Sequence, residues 1–310
     1  MRALPEVASA VELPRGDAVF LDHLAHWVPD IQAASALLDR LGFLVTPYAE
    51  HAHAAGGGET SVPAGSANQC VMLEAGYLEV LTPTGETPIA REVRAALGRY
   101  TGLHLTAFCA ADAAGHRKRL VSAGFPQRPC VNLARESSTA DGGSCTLRFT
   151  VVRPEVGCLP EGRVQFLTHH TPDELWQPRW LEHPNTARAL TDVLFCVADI
   201  REASRRYERY LGRTAEAVHG GYVLQMDRGR LALFDVERVC AALPGDSIPC
   251  VPFMATYALA CENLASTRAV LRASGIDFRD RDHRGLTVPA SPALGGSIVF
   301  TEDGGLPPWL

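Results

Sequence analysis

The amino-acid sequence predicts an α+β protein in which one βαβββ unit is repeated four times. Three observations carry that expectation. Each quarter of the chain opens with a strand-like run, an Asp or Asn, an amphipathic helix and a glycine. Two pairs of these openings keep nearly constant spacing, and each opening is followed by further short strand-like segments. In the first unit Phe20–Val28, FLDHLAHWV, alternates apolar and polar residues as a strand does. Asp30 stands where a helix N-cap belongs, Ile31, Ala34, Leu37, Leu38 and Leu41 follow at helical spacing, and Gly42 is the stop. The third unit repeats this with LTDVLFCV, Asp199, IREASRRYERYL and Gly212, so the cap recurs 169 residues on and the stop 170 residues on.

The second unit runs from Leu103–Cys109 through Asp112 to Gly124, and the fourth from Met254–Ala260 through Asn263 to Gly275. Here cap and stop are both displaced by 151 residues. The later strands are NQCVML and GYLEVL in unit one, CTLRFTVV and RVQFLTH in unit two, GYVLQM and RLALFDV in unit three, and SIVFTE in unit four. The stretch Thr171–Pro184, TPDELWQPRWLEHP, breaks the pattern with three prolines and two tryptophans and reads as a linker. The expected organisation is a tail over 1–17, a first domain over 18–170, a linker over 171–185 and a second domain over 186–310.

A chain of 310 residues that is 46% hydrophobic and 21% charged has the composition of a globular protein with a real core, which excludes disorder as its main state. The net charge of −6 is spread along the chain, and no basic face interleaved with aromatics marks a nucleic-acid surface. No apolar run reaches the ~18–20 residues of a membrane span, and the start MRALPEVASAVELPRGD lacks the pattern of a signal peptide. The nine cysteines contain no C-x-x-C pair and read as reduced thiols in a cytoplasmic protein.

Four βαβββ units, with LDH at 21–23, the GYLEVL strand, and QFLTHHTPDELWQPRW running into HPN at 183–185, resemble the vicinal oxygen chelate superfamily, and within it the glyoxalase-like domain family. The resemblance implies that the four modules pair into two glyoxalase-like domains, each a cup-shaped sheet, with metal ligands on the first and last strands of each module. Carried over residue by residue, that set is His23 and Glu79 from module one and His104 and Gln165 from module two, with His169 the alternative to Gln165. In the second half the same alignment meets Asp192, Ala232, Ala255 and Ile298, so that half is expected to be a metal-free duplicate.

Two imidazoles with oxygen donors suit one divalent ion, Fe(II), Mn(II), Zn(II), Ni(II) or Co(II), without choosing among them. Glu79 shares its strand face with Tyr77 and Leu81, so its charge needs a cation or hydrogen bonds, and it is also the candidate catalytic base. His51 and His53, just before Gly56–Gly58, lie in a loop that either closes over the cup to contact substrate or is an idle exposed loop, and Asn68 starts a strand facing the pocket. His26 is expected on the opposite side of the sheet from His23, His183 in a turn, and His116 in solvent. The leading functional expectation is a metal-dependent isomerase, epimerase or lyase acting on a small molecule with adjacent oxygens. The alternatives are a non-catalytic binding protein of the resistance type and an Fe(II) extradiol-type dioxygenase. No basic cluster of the kind that would hold a glutathione adduct is identifiable. The expected partners are the small-molecule substrate and a second copy in a homodimer, with neither nucleic acid nor membrane.

Overall fold

A computed structural model of the chain describes residues 11–54, 61–139, 142–281 and 285–310. Module one comprises β1 (Val19–Trp27), α1 (Ile31–Arg40), β2 (Ala49–Ala54), β3 (Ser61–Met72) and β4 (Tyr77–Pro83). After α2 (Pro88–Leu97), module two follows with β5 (Gly102–Ala110), α3 (Ala113–Ser122), β6 (Val131–Ser138), β7 (Ser144–Val152) and β8 (Arg163–His169). A short helix α4 (Pro172–Leu175) and a 3-10 turn at Pro178–Trp180 lead to module three: β9 (Ala187–Cys196), α5 (Ile200–Leu211), β10 (Ala215–Val218), β11 (Gly221–Gln225) and β12 (Arg230–Phe234). Helix α6 (Val236–Ala242) joins it to module four, β13 (Phe253–Cys261), α7 (Leu264–Ala273), β14 (Arg279–Asp280), β15 (Leu286–Val288) and β16 (Ser297–Glu302). Among the described residues no helix is long and apolar enough to cross a membrane.

The four predicted caps all act as caps. Asp30, Asp112, Asp199 and Asn263 each accept a backbone N–H from the first turn of the following helix, a contact worth ~0.5–2 kcal/mol. The stops are equally local. Gly212 closes α5 in the left-handed conformation at φ +68°. Gly42 follows α1 at φ +83°, where a Cβ would stand 2.6 Å from Val270 Cγ1.

Two eight-stranded sheets result, ordered β2-β3-β4-β1-β5-β8-β7-β6 and β10-β11-β12-β9-β13-β16-β15-β14. In the first, β1 runs parallel to β4 and β5 parallel to β8, while the two modules meet at the antiparallel pair β1·β5. The second repeats this at β9·β13. One continuous core takes residues from α1, α3, α5 and α7 and from both sheets, including Leu38, Leu120, Tyr207, Leu271, Phe108 and Phe195. Glu161, before β8, joins the halves there by accepting two hydrogen bonds from Arg206 at 2.8 and 2.9 Å and one from the Tyr207 hydroxyl at 2.8 Å.

The two concave faces differ. The second is packed with Leu194, Cys196, Ala232, Phe234, Ala258 and Val299, and the buried Trp309 near the C-terminus joins this cluster. The first has apolar walls but keeps an internal space.

The first strands share an irregularity that decides where their side chains point. Along β1·β5, Leu21 pairs with Phe108 but His23 with Ala107, so Asp22 is an extra residue; Ala25 pairs with Leu105 but His26 with Leu103, so His104 is another. In β9·β13, Thr191 and Ala255 are skipped in the same way. The same module position thus carries a β-bulge in all four first strands, and a bulge re-aims its residue and those beyond it.

Candidate active site

The first cup holds a cavity of about 150 Å³. Strand alternation brings His23, Tyr77, Glu79, Leu81, Gln165 and Leu167 onto its walls, with His51 from β2, Ser66 and Asn68 from β3, and Leu133 and Arg135 from β6. His51 therefore lies in a strand rather than a loop. The side chain of His53 lies outside the described residues, as does His283.

His23 is fixed from behind. Its Nδ1 donates to Asp22 at 2.7 Å and its ring stacks on Tyr77, centroids 4.3 Å apart. This pairing leaves Nε2 as the nitrogen directed to the cavity, the orientation a carboxylate gives to a ligating or proton-accepting imidazole. Asp22 also accepts from His169 Nε2 at 2.9 Å. Burial alone would raise the Asp22 carboxyl, but the neighbouring His169 charge and the two imidazole hydrogen bonds hold it well below the usual carboxylate range. His169 is thus a partner of Asp22 beneath the cup, edge-on to Trp176, and its buried Nδ1 has no hydrogen-bond partner among the described residues.

Glu79 is buried two residues beyond Tyr77 on the same face of β4. Its Oε1 accepts from Asn68 Nδ2 at 2.6 Å and lies 3.8 Å from His51 Nε2, while His51 Nδ1 is tied to the Ser66 hydroxyl at 2.9 Å. Burial lowers the basicity of His51, and the Glu79 charge opposes that. Gln165 pairs with Ala107 as Glu79 pairs with Ala25, so the two occupy equivalent positions in their modules.

His104 does not join them. It sits between Tyr100 and Trp27, ring centroids 4.0 and 5.2 Å away, and donates from Nε2 to the Tyr100 carbonyl at 2.8 Å. Burial holds it neutral with a pKa lowered to about 4, and it borders a different cavity with Trp27, Arg153 and Arg163. The reason is the bulge: His104 corresponds to Asp22, and Leu105 corresponds to His23. The helix caps carry the missed signal, since Asp30 to Asp112 and Gly42 to Gly124 are both 82 residues, which maps His23 onto Leu105. The same correction applies to the fourth module, where the positions are Thr256 and Val299 rather than Ala255 and Ile298. In the third, Asp192 is held by Arg230 at 2.6 and 2.9 Å, opposite Ala232's neighbourhood of apolar side chains.

Among the described residues, the group of three His, Cys, Asp or Glu donors within 4.8 Å of one another is Asp22, Cys109 and His169, all buried. There Asp22 already accepts imidazole N–H groups from His23 and His169, and burial pushes the Cys109 thiol up, away from the thiolate a metal would need. Three further histidines pack in the fold. His26 donates to the Leu294 carbonyl and meets the Tyr257 hydroxyl. His183 accepts from Leu44 and donates to the Met72 carbonyl, fixing the turn into module three. His116 stacks on Phe166 and is half-buried rather than solvated.

Comparison with known proteins agrees with this architecture. Solved structures similar to the chain include a hypothetical protein from Staphylococcus aureus (TM-score 0.60, 10% identity, covering 92% of this chain and 99% of that one). A mutant of 4-hydroxymandelate synthase from Streptomyces coelicolor matches with TM-score 0.53 and 17% identity, over 91% of each chain. The Mn(II)-bound glyoxalase from Novosphingobium aromaticivorans matches with TM-score 0.50 and 12% identity, over 92% of this chain and 82% of that one. These likenesses show the fold. No curated protein matches. The family model described as a glyoxalase-like domain matches residues 21–211, from the LDH motif through both modules of the first cup and into α5. With its paired βαβββ modules, the chain belongs to the glyoxalase-like domain family.

Proposed function

We propose that the first cup is the active site of a divalent-metal-dependent enzyme that moves a proton on a small molecule with adjacent oxygens, an isomerase, epimerase or lyase. The observation that carries this reading is the pairing of His23, oriented by Asp22, with the buried Glu79 on the wall of one cavity. His23, Glu79 and Gln165, with His51 in place of His104 as the second imidazole, are donor types that suit a divalent ion; His23, Glu79 and His51 do not lie within 4.8 Å of one another, so an ion there would have to draw them together. Such an ion would supply Lewis-acid polarisation of a substrate carbonyl. The chain's own part is clearer still. Asn68 occupies Oε1 of Glu79, which leaves Oε2 to take a proton, while His51 Nε2 stands 3.8 Å from Oε1 and biases the carboxylate by its charge state. Leu105, at the position equivalent to His23, favours a second reading in which the cup binds its ligand without metal.

Metal analysis of protein purified without chelator separates the two. Under the first reading the parent carries stoichiometric metal, and His23→Ala and Glu79→Gln lose it while still folding. A parent without metal, whose melting is unchanged by chelator, or variants that retain metal as the parent does, would put the binding reading ahead.

A further inference from the structure

The walls of the first cup carry more positive charge than its sequence suggested. Arg135, Arg153 and Arg163 all line the cavity, contributed by β6, the residue just after β7, and the start of β8. Glu79 is the carboxylate on the same walls. Glu92 of α2, outside the cavity, is already shared by two guanidinium groups, Arg128 at 2.6 Å and Arg163 at 2.9 Å. Arg163 also lies over the Trp27 ring at 4.8 Å. Arg153 is different: among the described residues its guanidinium makes no hydrogen bond or ion pair. Burial first, then the charges of Arg163 and Arg128, lower its pKa to about 10, and Glu92 offsets this only in part. It remains a cation. Arg153 borders both this cavity and the one beside His104, and the Glu92 charge reaches it without bonding it. A half-buried guanidinium with no bonded carboxylate is a site for an anion, and its planar fork matches a carboxylate with two parallel hydrogen bonds.

The rest of the lining sets the body of the ligand. Leu81, Leu105, Leu133, Phe149, Val151 and Leu167 are apolar. A cavity of about 150 Å³ takes a body on the order of one benzene ring. The Glu79 charge reaches Arg163, whereas Arg153 feels Glu92, Arg163 and Arg128. Glu79 and His23 share the cavity walls with Arg153, so a ligand anchored there lies in the same cup as both.

We infer that the first cup takes a small organic carboxylate with an apolar body, anchored by Arg153. This rests on the first cup being the ligand site, but not on its holding a metal. The test is calorimetric titration of the full-length chain with benzoate, with its neutral isostere benzamide, and with inorganic phosphate. Each is run on chelator-treated and on metal-loaded protein, and on Arg153→Gln and Arg153→Lys. The expected result is benzoate binding at least about tenfold tighter than benzamide and tighter than phosphate, with or without chelator. Benzoate affinity should fall about tenfold in Arg153→Gln and less in Arg153→Lys. Both variants should melt no lower than the parent, since among the described residues the Arg153 guanidinium makes no hydrogen bond or ion pair. Equal binding of benzamide and benzoate, or parent-like binding in Arg153→Gln, overturns the inference. Benzoate binding lost on chelation yet kept in Arg153→Gln places the anion on a metal, which overturns the inference and leaves the proposed function standing. Chelator-independent binding lost in Arg153→Gln, by protein that holds no metal, supports the anion anchor while the metal reading fails.

Discussion

Asp22 shows how one buried carboxylate can organise a site it does not enter. It holds two imidazoles, His23 at 2.7 Å and His169 at 2.9 Å, and only an ionised carboxylate accepts from both. Asp22→Asn keeps the shape but turns one acceptor into a donor that faces an imidazole. We expect ligand or metal affinity at the cup to drop ~10–100-fold, the range found when a histidine loses its orienting partner. Titration of the variant beside the parent checks this, and unchanged affinity would mean His23 needs no support. His104 makes the opposite case. Stacked between Tyr100 and Trp27, it acts as packing. His104→Ala should cost about 2–4 kcal/mol in urea unfolding, by analogy with other large-to-small core changes. His104→Phe should recover most of that loss, and both should bind ligand and metal as the parent does. Loss of metal from His104→Phe would restore His104 as a ligand.

At the scale of elements, the bulged first strands do most to shape the molecule. Each inserts one residue into the β1·β5 or β9·β13 pair, and in the first sheet this places Asp22 below the cup and His23 in it. Helix α5 is the other decisive element, because it carries Arg206 and Tyr207 to the buried Glu161 of the first half. Glu161→Ala would strand a guanidinium and a hydroxyl in the core. The expected loss is about 3–5 kcal/mol, read by chemical denaturation, as for other broken buried ion pairs. A change under about 1 kcal/mol would show that water replaces the carboxylate there.

For the molecule as a whole, two buried histidines set the acid side of its stability. Burial lowers both His26 and His104 to about 4, against 6.5 in the open chain. Between those values the unfolded chain binds protons that the folded one refuses, so stability falls as pH drops through this window. Each histidine contributes about 1.4 kcal/mol per pH unit there. Asp22, with its depressed carboxyl, acts in the same direction below its ordinary range of about 4. Urea unfolding at intervals from pH 7 to pH 4 should show this slope, and a flat profile would mean that both imidazoles reach water in the folded state.

What the sequence determined by itself is local and periodic. Asp30, Asp112, Asp199 and Asn263 cap helices because a side-chain oxygen reaches an N–H only two or three residues away. The alternation of Tyr77, Glu79 and Leu81 places Glu79 on the cup wall because a regular strand has a period of two. From such signals the four modules and the inward carboxylate were legible. Tertiary structure alone decided what depends on pairing between distant strands. A bulge leaves no mark in an alternating run, since the extra residue is defined by the partner it lacks, and so His104 reads as a ligand in sequence and packs against Trp27 in space. Arg135, Arg153 and Arg163 form no basic run, and they become one positive wall only when β6, β7 and β8 lie side by side.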